Sequence, residues 1–199
     1  MMFLHQSLAS ALTISMLAVW PSSSVSHAAE FTVAPPDAKH IVTINISGVI
    51  QKGDDLRFRA SLAGVLPLLG IVILESPGGD LQAGLNIGRE ISARAYATLV
   101  KSGAVCASSC ALAWLAGDWR YMAPGARIGF HAAYAKEGNA LIEKGAANAL
   151  IGAYLNTLKL PDEAINYITK SAPNDIEWLS VNAAIHVGIN LTVAGENGD

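Results

Sequence analysis

Residues 71–80 read Ile71-Val72-Ile73-Leu74-Glu75-Ser76-Pro77-Gly78-Gly79-Asp80. The apolar, β-branched beginning predicts a short buried strand. Pro77-Gly78-Gly79 then breaks regular structure, and Asp80 is a typical N-cap for a helix that continues to about Arg94. Backbone N–H groups at such a helix start favour negative charge. Taken alone, however, the turn is weak evidence for a site, because Pro-Gly-Gly most often only turns the chain.

Elements on both sides of this unit alternate in the same way. Strands are predicted at 41–46, 97–100, 120–122 and 128–130, and helices at 55–66, 139–158, 160–171 and after Ser180. Residues 111–116 are apolar on every side and predict a central, fully buried helix. Strands that alternate with helices favour an α/β fold with buried, mostly parallel strands.

The composition excludes several classes of protein. The chain has 199 residues, of which 52% are hydrophobic and 15% charged, so it has the composition of one compact domain and not of a disordered tail. The formal net charge is -3, which leaves no basic stripe for a phosphate backbone. We therefore expect no nucleic-acid partner.

The first 28 residues contain no Asp, Glu, Lys or Arg. Their apolar stretch from Leu8 to Trp20 is too short to span about 30 Å of hydrocarbon. We interpret residues 1–28 as a secretory signal peptide with cleavage after Ala28, which predicts a periplasmic or secreted protein. A retained anchor and a helix of the fold are the alternatives. We expect a linker at 29–40, the folded domain at 41–194 and a flexible C-terminal tail at 195–199.

Both cysteines lie in Cys106-Ala107-Ser108-Ser109-Cys110. Without nearby histidines they make a poor zinc site, and we expect no metal. An oxidising compartment would allow a disulfide between Cys106 and Cys110. The bridge requires Cys106 to precede the helix, because side chains four apart on a helix are about 5 to 6 Å apart at Cβ and a disulfide needs about 3.5 to 4.5 Å. Two buried free thiols are the alternative.

Two side chains are candidates for nucleophilic catalysis. Ser109 is expected at the start of the apolar helix, beside the amide of Cys110, where an attacked carbonyl oxygen would meet an N–H group. His131 ends a predicted strand and could exchange the serine proton as a general base. For each residue there is a structural alternative: Ser108 and Ser109 as helix caps, and His131 as an ordinary strand-end residue.

Three segments together resemble the proteolytic subunit of the Clp protease (ClpP), within the ClpP/crotonase superfamily. They are 74–87 with its Ser-Pro-Gly-Gly turn, 107–111 with its nucleophile segment, and 127–131 with the strand that ends in histidine. The resemblance implies an α/β spiral of repeated ββα units. It also implies Ser109 as nucleophile, His131 as base, and the amides of Gly79 and Cys110 as the oxyanion hole.

The third member of the triad is the weak point of this resemblance. The run Trp178-Leu179-Ser180 puts Ile176 where the family has an aspartate. Asp175 is one residue away and is the nominated acid, with Asp162 a distant second. An orienting carboxylate fixes the histidine tautomer, so its absence would lower activity strongly.

The function expected from these features is a serine endopeptidase of the Ser-His-Asp type that hydrolyses peptides or unfolded polypeptides through an acyl-enzyme. It needs no cofactor, and an exported protein meets no ATP, so no ATP-driven unfoldase is expected as partner. The resemblance also implies a homo-oligomer. The alternatives are an inactive interaction or scaffold protein with the same fold and, third, a crotonase-like acyl-CoA enzyme.

Overall fold

The structure is a computed structural model and describes residues 28–65 and 69–195. The predicted signal peptide, apart from Ala28, and the last four residues of the predicted tail lie outside these residues. Within the described part of the chain, no helix combines the length and apolarity needed to cross a bilayer.

The described elements follow one another in an alternating order. The strands are β1 (Glu30–Val33), β2 (Ile41–Ser47), β3 (Leu69–Glu75), β4 (Ala97–Val100), β5 (Val105–Ala107), β6 (Arg120–Met122), β7 (Arg127–Phe130), β8 (Tyr134–Glu137), β9 (Ala140–Glu143), β10 (Glu177–Trp178) and β11 (Thr192–Val193). The helices are α1 (Asp54–Ser61), α2 (Leu81–Ala93), α3 (Ser109–Trp114), α4 (Gly145–Thr157), α5 (Asp162–Thr169) and α6 (Val181–Val187).

The main sheet has the strand order β1-β2-β3-β4-β6-β11 and is parallel except for β1. A smaller sheet has the order β10-β7-β5, with β5 and β7 parallel. A bridge between Ser76 and Cys106 joins the end of β3 to β5. The two sheets therefore meet beside the Pro-Gly-Gly turn, and the α/β class expected from the sequence is confirmed.

Helix α3 forms the centre of the core. All six of its residues are buried, as the apolar sequence predicts. It packs closely on α2, because a Cβ built at Gly84 would lie 2.6 Å from the Cβ of Ser109. The start of α3 is thus fixed from behind by a neighbouring helix.

Three predicted boundaries differ from the structure. Part of the expected linker 29–40 is strand β1, which pairs antiparallel with β2 and so satisfies main-chain groups of the edge strand. Helix α1 ends at Ser61, earlier than predicted. The predicted helix 139–158 is instead the second half of the β8–β9 hairpin followed by α4, because Gly138 at φ 60° supports a two-residue turn.

Candidate active site

A cavity of about 350 Å³ lies where the Pro-Gly-Gly turn, the start of α3 and the end of β7 meet. Its walls are formed by Val49, Pro77, Gly78, Gly79, Leu81, Ser108, Leu112, His131, Ala133, Tyr134 and Ile151. No carboxylate or lysine stands among these lining residues. The lining residues thus include two that carry a hydroxyl, Ser108 and Tyr134, and one imidazole, His131, among apolar side chains.

Ser108 occupies a sharp turn between strand β5 and helix α3. Its backbone lies at φ 57°, ψ -126°, outside the usual regions for a residue with a side chain. The N–H of Ser108 donates to the Gly129 carbonyl at 2.9 Å, and its own carbonyl accepts from Leu112 at 3.1 Å. This strand–serine–helix turn is the kind of strained geometry that exposes a nucleophile at the edge of a sheet.

Ser109 does not face the cavity. It is the first residue of α3, its exposed fraction is 1%, and its Oγ has no hydrogen-bond partner within the described residues. The serine that lines the cavity is therefore Ser108, one residue before the expected Ser109. The physical reason is that the positive φ of Ser108 turns the chain one residue earlier and directs the next side chain toward α2.

The Gly78-Gly79 loop packs directly against this turn. Gly78 has φ 92°, and a Cβ built there would lie 2.6 Å from the Ala107 carbonyl oxygen and 2.7 Å from the Cβ of Ser108. Gly79 has φ 144°, and a Cβ there would collide with the Ile50 carbonyl. The buried Ser76 hydroxyl accepts from the Gly78 N–H at 3.0 Å. Only glycine satisfies both the close approach and the positive φ at these two positions.

The backbone N–H groups of Gly79, Ser109 and Cys110 donate no hydrogen bond within residues 28–65 and 69–195. Gly79 lines the cavity, whereas neither Ser109 nor Cys110, the other predicted oxyanion donor, is among its lining residues. The Ser109 nitrogen lies 3.1 Å from the Cβ position of Gly78, on the loop side of the turn. Because this nitrogen lies against the glycine loop, Ser109 is a further candidate donor beside Gly79, one residue before the predicted Cys110.

Cys106 and Cys110 form a disulfide with a Cα–Cα distance of 5.2 Å. Cys106 lies in β5 and Cys110 is the second residue of α3, so the first cysteine precedes the helix as the bridge requires. Both are fully buried.

His131 follows β7 and is oriented by a main-chain carbonyl. Its Nδ1 lies 2.8 Å from the oxygen of Ala132, whose own N–H donates to the Ser171 carbonyl at 2.8 Å. Because a carbonyl only accepts, this contact requires the proton on Nδ1 and leaves Nε2 as an acceptor. The ring also packs at 5.3 Å, centroid to centroid, from the ring of Tyr134.

Asp175 is not brought to His131. Its side chain is exposed, and its Oδ1 accepts from the next backbone N–H, that of Ile176, at 2.9 Å. The pairing of β10 with β7 sets Glu177 opposite Phe130, and one more step of this register sets Ile176 opposite His131. Asp162, the second candidate, begins α5 and is exposed, and it is not among the cavity residues.

Tyr167 supports the β10 side of the site. Its hydroxyl donates to the Trp178 carbonyl at 3.2 Å. Burial, with a further contribution from nearby Glu177, raises the pKa of Tyr167 to about 12. The hydroxyl therefore remains a donor over the whole neutral range, which stabilises the register that sets Ile176 against His131.

Comparison with family models and with curated proteins returned no match. Solved structures do match. A mutant of the 1510-N membrane-bound stomatin-specific protease superposes with a TM-score of 0.60 at 20% identity, covering 77% of this chain and 78% of that one. A ClpP1 mutant from Listeria monocytogenes gives 0.55 at 21% identity, covering 74% and 87%. A methylmalonyl CoA decarboxylase complexed with 2S-carboxypropyl CoA gives 0.56 at 12% identity, covering 84% and 69%. The chain has the fold of the ClpP/crotonase superfamily.

Proposed function

We propose that this protein is a ClpP-like serine endopeptidase that works through an acyl-enzyme on Ser108. The observation that carries the proposal is the meeting of three features at one cavity: a serine in a strained strand-to-helix turn, a histidine with a free Nε2, and a glycine loop with an unused N–H. A nucleophile, a base and oxyanion donors are the groups that acyl transfer needs.

In the proposed mechanism, Nε2 of His131 takes the proton of the Ser108 hydroxyl while Oγ attacks the peptide carbonyl carbon. The carbonyl oxygen becomes an oxyanion and accepts from the N–H groups of Gly79 and Ser109. His131 then gives its proton to the leaving amine, and the C–N bond breaks to leave an ester on Ser108. Water attacks this ester, His131 takes a proton from it, and the proton returns to Ser108 as the acid product leaves.

The Ala132 carbonyl replaces the triad carboxylate in this scheme. It fixes the tautomer, which is one of the two tasks of the acid. It carries no full negative charge, however, and stabilises the imidazolium less than a carboxylate would. We therefore expect slower turnover than in an enzyme with a complete triad.

The proposed substrates are peptides or already unfolded polypeptides, bound without a cofactor or an ATP-driven unfoldase. The lining of the cavity is uncharged and combines apolar side chains with polar groups, which suits a peptide. One of the matching solved structures is the stomatin-specific protease in complex with a substrate peptide. Export to the periplasm or medium fits the disulfide, since such bonds persist in oxidising compartments. A homo-oligomer also belongs to this proposal, and the exposed Leu141 and Ile142 of the β8–β9 hairpin offer apolar surface for it.

A fluorophosphonate probe tests the proposal, with mass spectrometry used to identify the modified residue. We expect an adduct on Ser108 in the wild type, no labelling of Ser108→Ala, and labelling of Ser109→Ala at Ser108. An adduct on Ser109 would instead identify Ser109 as the nucleophile, as expected from the sequence.

The exposed position of Asp175 favours a second candidate, a non-catalytic protein that keeps the fold as an interaction scaffold. Absence of labelling in every form of the protein would support it. The acyl-CoA alternative finds support only in neighbours such as the methylmalonyl CoA decarboxylase, and turnover of a CoA thioester would favour it.

A further inference from the structure

The disulfide spans the proposed nucleophile. Cys106 lies two residues before Ser108 and Cys110 two residues after it, one on strand β5 and the other on helix α3. We propose that this bridge is a positioning device, which holds the Ser108 turn in its active conformation. The proposal rests on the function proposed above and goes beyond it by assigning a role to the two cysteines.

The Ser108 turn needs to be held, because its backbone is unfavourable for a residue with a side chain. At φ 57°, ψ -126°, Ser108 lies outside the main allowed regions. The hydrogen bonds from its N–H to Gly129 and from Leu112 to its carbonyl fix its two ends. Both of these bonds are non-covalent. The disulfide adds a covalent link between the strand and the helix across the turn, and this link restrains the backbone of Ser108.

The site also has little tolerance for movement. The Cβ of Ser108 and the carbonyl of Ala107 lie against the Cα of Gly78, where even one added carbon would find no room. The oxyanion donors sit on both sides of this contact, at Gly79 and Ser109. A displacement of about 1 Å in such a site can lower the rate by roughly 10²-fold.

A purely stabilising role accounts less well for this placement. In the loop-closure model a disulfide stabilises the folded state more when it closes a longer loop. This bridge closes only the segment from Cys106 to Cys110, a sequence separation of 4. The stability that it adds by constraining the unfolded chain is therefore near the lower end of the range for disulfides. Its constraint on the Ser108 turn, in contrast, is direct.

The test measures fluorophosphonate inactivation of the whole chain and separates the maximal rate constant from the half-saturating probe concentration. For Cys106→Ala/Cys110→Ala we expect the maximal rate, per folded molecule, to fall about 10- to 100-fold. The half-saturating concentration should stay within about twofold, because the residues that line the cavity do not include the cysteines. Should the alanine pair not fold, Cys106→Val/Cys110→Ala fills more of the lost volume and replaces it.

A matched control separates positioning from general loss of stability. Phe58 in α1 is fully buried and packs on Phe31, and it does not line the cavity. Phe58→Leu should lower the melting temperature and leave both inactivation constants unchanged. A folded, bridge-free variant with the wild-type maximal rate would overturn the positioning role while the proposed peptidase stands. If the wild type itself does not react, the proposed function fails, and this inference fails with it.

Discussion

The serine side of the cavity is held in place by more contacts than the histidine side. On the serine side, the Ser108 turn is fixed by a disulfide, by hydrogen bonds at both ends and by a glycine loop with no spare room. On the histidine side, the ring is held by one carbonyl and one aromatic neighbour, and the position opposite it in the sheet carries the apolar Ile176. In the proposed peptidase, catalysis would therefore depend more on backbone preorganisation than on a charged third residue.

Among the substitutions that test this comparison, removal of the His131 side chain should have the largest effect on the rate of peptide hydrolysis. His131→Ala should lower peptide hydrolysis by roughly 10²- to 10⁴-fold, the range of general acid–base catalysis. Steady-state kinetics at matched folded concentration measure it, with Asp175→Asn as the control. Because Asp175 is exposed and bonded to its own neighbour, the control should keep wild-type activity. A large loss of activity in Asp175→Asn would instead indicate that the Asp175 carboxylate acts as the third member of the triad.

Gly78→Ala tests the serine side. The added methyl group would meet the Ala107 carbonyl oxygen and the Ser108 Cβ at 2.6 and 2.7 Å, at a backbone φ of 92° that disfavours alanine. We expect a loss of about 10²-fold in probe labelling as the turn shifts. Gly103→Ala is the matched control, since it has a similar φ of 76° and open space at its Cβ position. Equal labelling of both variants would show that the close approach is unimportant.

Ile176→Asp tests the histidine side, because it introduces the carboxylate that this side lacks. One further step of the β10–β7 register places this residue opposite His131, which makes it the position at which to introduce a carboxylate. We expect hydrolysis to rise by about tenfold, less than the roughly 10⁴-fold that such a carboxylate contributes in an evolved triad. Ile176→Asn has the same shape without the charge and should give no gain. A decrease with Asp and no effect with Asn would mean that the Ala132 carbonyl cannot be displaced.

The sequence predicted the framework better than the details of the site. Strands β2, β3 and β4 and the Asp80-capped helix α2 follow directly from apolar runs and a turn signal, because their periodicity is local. The predicted nucleophile, Ser109, is one residue after the serine that lines the cavity, because a positive φ at a residue other than glycine has no signature in composition. The position of Asp175 depends on the β10–β7 register, which is a long-range property.

Tyr154→Phe has the smallest expected effect on activity and tests what supports the serine side from behind. The Tyr154 hydroxyl is buried, donates to the Leu112 carbonyl at 2.9 Å and fits against Gly88. Its loss leaves a buried carbonyl unpaired, which costs about 1–3 kcal/mol of unfolding free energy. For a chain of this size that lowers the melting temperature by roughly 2–4 °C per kcal/mol. Probe labelling should change by less than about twofold, because α3 keeps its disulfide.

The same variant has a distinct pH dependence. Burial raises the pKa of Tyr154 well above its usual range, an effect only partly opposed by the positive charge of Arg89 and Arg120. Since the folded pKa exceeds the unfolded value of about 10, the hydroxyl contributes its full stability below about pH 10 and loses it as the pH rises further. The difference in unfolding free energy between wild type and Tyr154→Phe should therefore be constant from neutral pH to about pH 10 and shrink above it. Denaturant unfolding across that range measures it. A difference that persists above that range would mean that the phenol ionises as easily in the folded chain as in the unfolded one, and that it is not buried against the helix that follows Ser108.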